Sequence, residues 1–263
     1  MRCLDLLRVY HFDPRKKIRL GVKADGGYVI ADINGAEGAY DCYISAGVGN
    51  EESFTRDFLR RYSGLCSLNE TNCFAFDGTI AAYPTRYTNK ITFFKKNIGG
   101  GVGVVTGPRT AKSAHRARAV LDTNLLFLLN KYSRVFLKMD IEGGEYPWLM
   151  RMTVDDLRKI KQIVIELHGI TGIGWGSSFE NKLACIKKLS ETHHIVHAHG
   201  NNYGRIVSRI PDVIELTCIE KSYFLDGVPA LNKSPLPIVG LDFANRKGRH
   251  DIDLNMFPFV SKD

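Results

Sequence analysis

Short β-rich runs alternate with helix-compatible stretches along most of this 263-residue chain, and no other feature constrains its fold as tightly. Strands separated by helices pair in parallel, because a crossover helix has to return the chain to the same edge of the sheet. Segments 40–46, 73–76, 91–95, 135–139, 162–167, 194–198 and 213–220 read as strands. Segments 52–62, 118–131, 146–152, 154–159 and 179–191 read as helices, with Ser53, Thr153 and Ser178 as candidate starts. The expected fold class is therefore α/β, a seven-stranded, mainly parallel sheet with helices on both faces. No linker, repeat or low-complexity block interrupts it. A single domain is expected, with an N-terminal cap segment (1–39), a core (40–223) and a C-terminal flap (224–263) rich in Pro, Asn and Gly. The run GGGVGVVTGP at 99–108 reads as a mobile loop or hairpin.

Hydrophobic residues make up 44% and charged residues 24% of the chain, as in soluble globular proteins. No apolar run approaches the ~18 residues of a membrane span. Disorder, collagen and integral membrane protein are excluded. Six cysteines are scattered without a CxxC pair, which fits a reducing compartment. The N-terminus carries Asp5 and Arg8 inside its apolar stretch and no cleavage pattern, so a cytoplasmic protein is expected. The net charge of +8 suits an acidic partner such as a nucleotide, nucleic acid or sugar phosphate. The basic residues fall in short groups, however, and such groups usually form solvated surface.

Three constellations carry the chemistry. In DCYISAGVGNEESFTRDF (41–58) a strand meets Gly47 and Gly49, then a helix with Glu51 and Glu52 at its start. Glycines there allow a tight turn and close approach to a ligand. The two glutamates occupy the place of a pyrophosphate and would repel it. A cofactor bearing cations and no phosphate fits better, and S-adenosylmethionine is one, although an ordinary strand-to-helix turn carries the same glycines. In CFAFDGT, Asp77 ends the next strand, where an acid can hold a ribose diol or simply cap a turn. In VFLKMDIEGGEYPWL (135–149), Asp140, Glu142 and Glu145 converge at the sheet edge where open α/β sheets bind ligands.

With these motifs the chain resembles the FkbM-like S-adenosylmethionine-dependent methyltransferases, especially a branch with an upstream DGGYV segment (25–29 here). The likeness covers most of the chain and rests on SAGVG (45–49) with Glu51, Ser53 and Phe54, on Phe76 and Asp77, and above all on LKMDIEGGE (137–145). It implies a Rossmann-like class I methyltransferase fold. It places Gly47, Gly49, Glu51, Ser53 and Asp77 on the cofactor side, where Asp25, Asn50 and Asp140 are further candidates, and makes the 140–145 turn the floor beside the methyl acceptor. It also implies a hydroxyl of a sugar, glycan or other small molecule as that acceptor. The Gly-rich stretch after Ile98 departs from the family's more regular connection.

Two later strand ends fit the same crevice. IVIELHG supplies Glu166 and His168, and IVHAHGNNYG supplies His197, His199, Asn201 and Asn202. His168 or His199 can serve as general base. Asp140, Glu166 and His168 are candidate ligands for a divalent metal, Mg²⁺ or Mn²⁺. Trp175, on a Gly-rich loop, can stack on a sugar ring, whereas Trp148 reads as core. Three alternatives stand beside this reading. An RNA 2′-O-methyltransferase draws on the charge and on Lys138 but lacks a second lysine near the fifth strand. The others are a non-catalytic cofactor-binding scaffold, and an NAD-dependent dehydrogenase, which Glu51 and Glu52 disfavour.

Overall fold

The computed structural model describes residues 3–33, 39–99, 104–105, 120–172, 175 and 177–262. Its strands, in chain order, are β1 (Lys17–Leu20), β2 (Tyr28–Ala31), β3 (Cys42–Ala46), β4 (Cys73–Phe76), β5 (Thr92–Phe94), β6 (Asn97–Ile98), β7 (Val104–Val105), β8 (Val120–Thr123), β9 (Val135–Met139), β10 (Ile160–His168), β11 (His193–Gly200), β12 (Ile206–Val207), β13 (Ile210–Pro211) and β14 (Val213–Glu220). The helices are α1 (Ser53–Tyr62), α2 (Leu126–Leu129), α3 (Glu145–Arg151), α4 (Val154–Arg158) and α5 (Phe179–Thr192).

Seven strands form the central sheet in the order β11-β14-β10-β9-β3-β4-β5. Neighbours pair in parallel except at β14, which runs antiparallel between β10 and β11. All seven strand segments expected from the sequence lie in this sheet. Because side chains alternate across a strand, successive residues feed two different cores. Cys42, Ile44, Val135, Leu137, Ile163 and Ile165 enter an aliphatic core with α3, α4 and α5. Tyr43, Phe136 and Val164 enter an aromatic one with α1 and the β1–β2 hairpin. There, Phe58 on α1 lies tilted 4.2 Å from Phe136 and stacks on Tyr43 at 4.5 Å, centroid to centroid. Such pairs add about 0.5–1.5 kcal/mol each beyond area burial.

Thr153 and Ser178 cap α4 and α5 as expected, each accepting a backbone N–H from the first turn. Ser53 does not cap α1; Glu52 occupies that position without a side-chain cap bond. The helix expected at 118–131 is not continuous. Val120–Thr123 is a strand and only Leu126–Leu129 is helical, and residues 118–119 lie outside the described residues. Thr123 Oγ1 and Asn124 Oδ1 accept the N–H groups of Leu125 and Leu126, which ends the strand and starts the turn. Of the 99–108 loop, only Gly99, Val104 and Val105 are described.

The N-terminal segment packs on the sheet. The Gln162 amide on β10 bonds both the N–H and the C=O of Ala31, at 2.9 Å each, and β2 is buried along its length. The C-terminal segment is likewise packed, with Leu236, Leu254 and Phe259 in the aliphatic core. No helix among the described residues is long and apolar enough to cross a membrane. Cys42, Cys66, Cys73, Cys185 and Cys218 are buried and unbridged.

His193 opens β11 as a buried neutral imidazole, with Nε2 2.8 Å from the Ile160 carbonyl and Nδ1 2.8 Å from Thr192 Oγ1. Burial lowers its pKa to about 4. The unfolded chain, with a His pKa near 6.5, binds that proton first on acidification, so the stability is present above pH 6.5 and lost as pH falls toward 4. Urea denaturation at pH 7 and 4.5 is expected to show about 2–3 kcal/mol less acid loss in His193→Gln than in wild type. An unchanged acid loss would remove His193 from the account.

Candidate active site

The order in which the chain adds strands to the sheet reverses between β3 and β9, and ligands of open α/β sheets bind beyond the strand ends at such a point. Here the loop after β3 touches the turn after β9, with Asp140 N–H donating to the Ala46 carbonyl at 3.0 Å. A cleft of about 370 Å³ opens above this junction, lined by Asp25, the 47–51 loop, Asp77, Asn97, Lys138 and the 140–142 turn, among others. Gly47 has φ +79°, and a Cβ there would lie 1.5 Å from the Asp140 carbonyl oxygen. At Gly49, φ +51°, a Cβ would meet nothing within 4 Å. One glycine lets two backbones touch, and the other leaves space over the cleft.

Asp77 stands at the end of β4, as expected, but its oxygens clasp the glycine loop. Oδ2 accepts from Val48 N–H (3.1 Å) and Gly49 N–H (2.8 Å), and Oδ1 from the N–H (2.7 Å) and hydroxyl (2.6 Å) of Thr79. A carboxylate offers about four acceptor positions, and all four are used. A sugar diol would have to displace one of these donors. Burial alone would raise this carboxyl, yet the bonds from Thr79 and Gly49 hold it below its usual range. Lys138, beneath the loop, donates to the Gly47 carbonyl at 2.6 Å. That contact commits the lysine to loop shape and weakens its place in a nucleic-acid reading.

The two glutamates after the loop part ways. Glu51 lines the cleft, with Oε1 accepting from Ser53 N–H (2.8 Å) and Oε2 from Tyr87 (3.0 Å). Glu52 points into the core, bonded by Ser45 (2.9 Å), Thr55 and Tyr83 (3.2 Å). Burial raises its pKa despite Lys138 nearby. The expectation that both glutamates occupy the phosphate position is thus corrected to Glu51 alone. Ser53 is buried behind the loop, where its hydroxyl accepts from Val22 N–H at 2.9 Å. Asn50 lies on the cleft and its carbonyl accepts from Arg86 at 2.6 Å.

On the other wall, Glu145 is fully buried and anchors the turn: Oε1 accepts Ile141 N–H (3.0 Å) and lies 3.2 Å from His168 Nδ1. This orients the ring so that Nε2 lies 3.5 Å from Glu142 Oε2, 3.6 Å from Glu166 Oε1 and 3.9 Å from Asp140 Oδ1. Burial disfavours the imidazolium, but the bond and charge of Glu145, with Asp140 and Glu142, raise the pKa overall. Glu142 holds a left-handed backbone, φ +55°, uncommon for a residue with a side chain. Trp175 stacks against His168 at 4.9 Å and is 44% exposed, open to a further ring. Trp148 is core.

Tyr28 was not singled out as a functional side chain, yet its hydroxyl donates to Asp140 Oδ2 (2.9 Å) and reaches Glu166 Oε2 (3.4 Å). The metal set expected from the sequence is regrouped. Asp140 and His168 cluster with Glu142, whereas Glu166 clusters with Asp25 and Glu215.

His199 leaves the list of candidate bases. Nδ1 lies 2.9 Å from Glu215 and Nε2 2.9 Å from Asp251. Although burial disfavours its charge, Glu215 and Asp251 raise its pKa to about 10. An imidazolium with both N–H groups engaged cannot take a proton. His197 differs: its Nε2 lies 2.9 Å from Asp242 Oδ1, its Nδ1 is buried without a partner, and burial lowers its pKa despite Asp242. Of the two asparagines after the strand, Asn201 donates to Glu166 at 2.8 Å and Asn202 Oδ1 accepts from Arg246 N–H at 2.7 Å.

A mixed α/β sheet with a glycine loop and a carboxylate turn facing one cleft at its switch point makes a candidate ligand-binding site. The family model described as Methyltransferase FkbM domain matches residues 9–204, and the chain belongs to that family. No curated protein and no solved structure gives a significant match.

Proposed function

We propose that this protein is a class I, S-adenosylmethionine-dependent O-methyltransferase acting on a hydroxyl of a sugar, glycan or other small molecule. The observation that carries the reading is the meeting of the 47–51 loop and the 140–145 turn in one cleft. The strand order, with a single antiparallel strand next to the last edge, supports the fold assignment. The donor set fits the cofactor: carboxylates of Asp25, Glu51, Asp140 and Glu142 line the cleft and suit a ligand with ammonium and sulfonium groups. The space over Gly49 leaves room for it.

When bound, the cofactor supplies an electrophilic methyl group. The chain's own residues hold the acceptor hydroxyl in line, take its proton and exclude water. His168 Nε2 is the position for that proton, because Glu145 fixes Nδ1 and the carboxylates around the ring favour the imidazolium that forms. Glu142 and Asp140 face the same corner and orient the hydroxyl, and the exposed face of Trp175 offers a stacking surface for a sugar ring. An ion on Asp140, Glu142 and His168 would claim the same nitrogen, so base and metal ligand are competing uses of it.

Calorimetric titration with S-adenosylmethionine and S-adenosylhomocysteine tests the reading. Micromolar binding is expected in wild type, weakened at least about tenfold in Asp77→Ala, which frees the Val48 and Gly49 N–H groups and loosens the loop. Absence of binding to wild type would overturn the assignment.

A further inference from the structure

The run Arg246-Lys247-Gly248-Arg249-His250 is exposed along its length, and the proposed reaction has no use for it. Like charges crowded on one turn repel one another, so an ordered loop of this kind needs an anchor. Asn202, only 5% exposed, is that anchor. Its Oδ1 accepts from Arg246 N–H at 2.7 Å, and its Nδ2 donates to the carbonyls of Arg246 (3.2 Å), Arg249 (3.4 Å) and His250 (3.2 Å). A cavity of about 600 Å³ opens beside the loop, lined by Arg209, Arg249, His250, Asp251 and Asp253 among others. Arg209 joins it from the turn between β12 and β13 with φ +70°, a left-handed backbone where glycine or asparagine is the usual occupant. The nearby carboxylates are already engaged: Asp251 by His199, Asp212 by Arg205 and Asp253 by the Asn255 amide, at 2.9, 3.0 and 2.6 Å. Arg209, Arg246, Lys247 and Arg249 form no ion pair among the described residues. Arg246 instead lies 5.8 Å from the ring centroid of Tyr203, itself exposed.

Both ends of this assembly are moored to the reaction corner. Asn201, the neighbour of Asn202, donates to Glu166 Oε1, which lies 3.6 Å from His168 Nε2. Asn245, the neighbour of Arg246, donates to Asp25 on the cleft rim at 3.1 Å. A ligand extending from His168 across Asn201 therefore meets carboxylates first and unpaired guanidinium groups next. We infer that the acceptor is an acidic saccharide, whose hydroxyl sits at the His168 corner while a phosphate, sulfate or carboxylate group elsewhere on it binds Arg209, Arg246 and Arg249 at the cavity beside the loop. Guanidinium groups match such anions bidentately. Tyr203, like Trp175, offers a ring face to a sugar. Opposite fields at its two ends fix which way round the saccharide lies. RNA fits less well, because a ribose 2′-hydroxyl has a phosphodiester on the adjacent carbon, and Asp140, Glu142 and Glu166 around His168 would repel it. The place of the hydroxyl rests on the proposed O-methylation; the anion site does not.

The test needs no cofactor. Glucuronate, glucose phosphate and glucose sulfate, with glucose as the neutral reference, are titrated into the full chain at physiological ionic strength and followed by ligand-observed NMR. At least one of the anions is expected to bind with a Kd below about 10 mM, the range open to a single sugar ring, and about tenfold tighter than glucose. Affinity for it is expected to fall about tenfold when Arg246→Gln and Arg249→Gln are combined, since both side chains are exposed and the backbone bonds to Asn202 persist. It is expected to hold within about twofold when Arg60→Gln and Lys187→Gln, also exposed, remove the same charge elsewhere. Asn202→Ala keeps every charge but frees the loop, and is expected to weaken binding at least about threefold. No binding of any of these anions, no preference over glucose, or equal weakening by both pairs of substitutions overturns the proposal. So does tighter binding of a single-stranded RNA or of phosphatidylserine vesicles through the same arginines. Anion binding without cofactor binding upholds the site and fails the methyl-transfer reading; cofactor binding without anion binding fails the site alone.

Discussion

Gly47→Ala is expected to unfold the site, and to cost on the order of 3–5 kcal/mol of stability. The added methyl would sit 1.5 Å from the Asp140 carbonyl oxygen, in a backbone conformation, φ +79°, that L-residues seldom adopt. Neither strand end can retreat easily, because Asp140 N–H is bonded to Ala46 and Gly47 N–H to Phe76, both at 3.0 Å. Gly49→Ala is the internal control. Its φ is also positive, but its Cβ enters open space, so the cost is expected at about 1 kcal/mol, with cofactor affinity reduced instead. Chemical denaturation of the two variants checks the contrast, and equal losses would refute the close approach of loop and turn.

His168→Gln is expected to lower kcat by about 10²- to 10⁴-fold once an acceptor is in hand, the range of a positioned general base. Cofactor affinity should hold within about threefold, since His168 is absent from the glycine-loop wall. Glutamine keeps a hydrogen-bonding group opposite Glu145 Oε1, which limits the structural damage. Single-turnover methyl transfer with radiolabelled cofactor, read beside calorimetry, separates the two quantities. A variant as fast as wild type would move the proton to another group.

The central sheet was legible from the chain because parallel strands are buried on both faces and stand out as short apolar runs. Gln162 and Lys138 are polar exceptions that the runs tolerate, each answered by a specific partner, Ala31 and Gly47. The β1–β2 hairpin was not legible: KIRL and YVIA are four residues each, and pairing through Lys17 to Ala31 confers no periodicity of its own. The segment around 118–131 misleads because its leucines suit a helix, while Thr123 and Asn124 divert the backbone through side-chain bonds that composition does not reveal. The 140–145 turn was readable as a carboxylate cluster, since its members are adjacent. His199 was not, because what disqualifies it, Glu215 and Asp251, lies 16 and 52 residues away. Tyr28 escaped for the same reason, its partners Asp140 and Glu166 lying 112 and 138 residues away.

The position of β14 bears on where this protein can be cut. The family match ends at residue 204, yet β14 begins at Val213 and is wedged between β10 and β11. A fragment trimmed to the matched segment would keep both flanking strands and lose the one that joins them. Two long apolar edges would stand unpaired in water, each a template for aggregation. Sequence likeness and the smallest self-sufficient folding unit therefore have different boundaries in this chain, and the second reaches further.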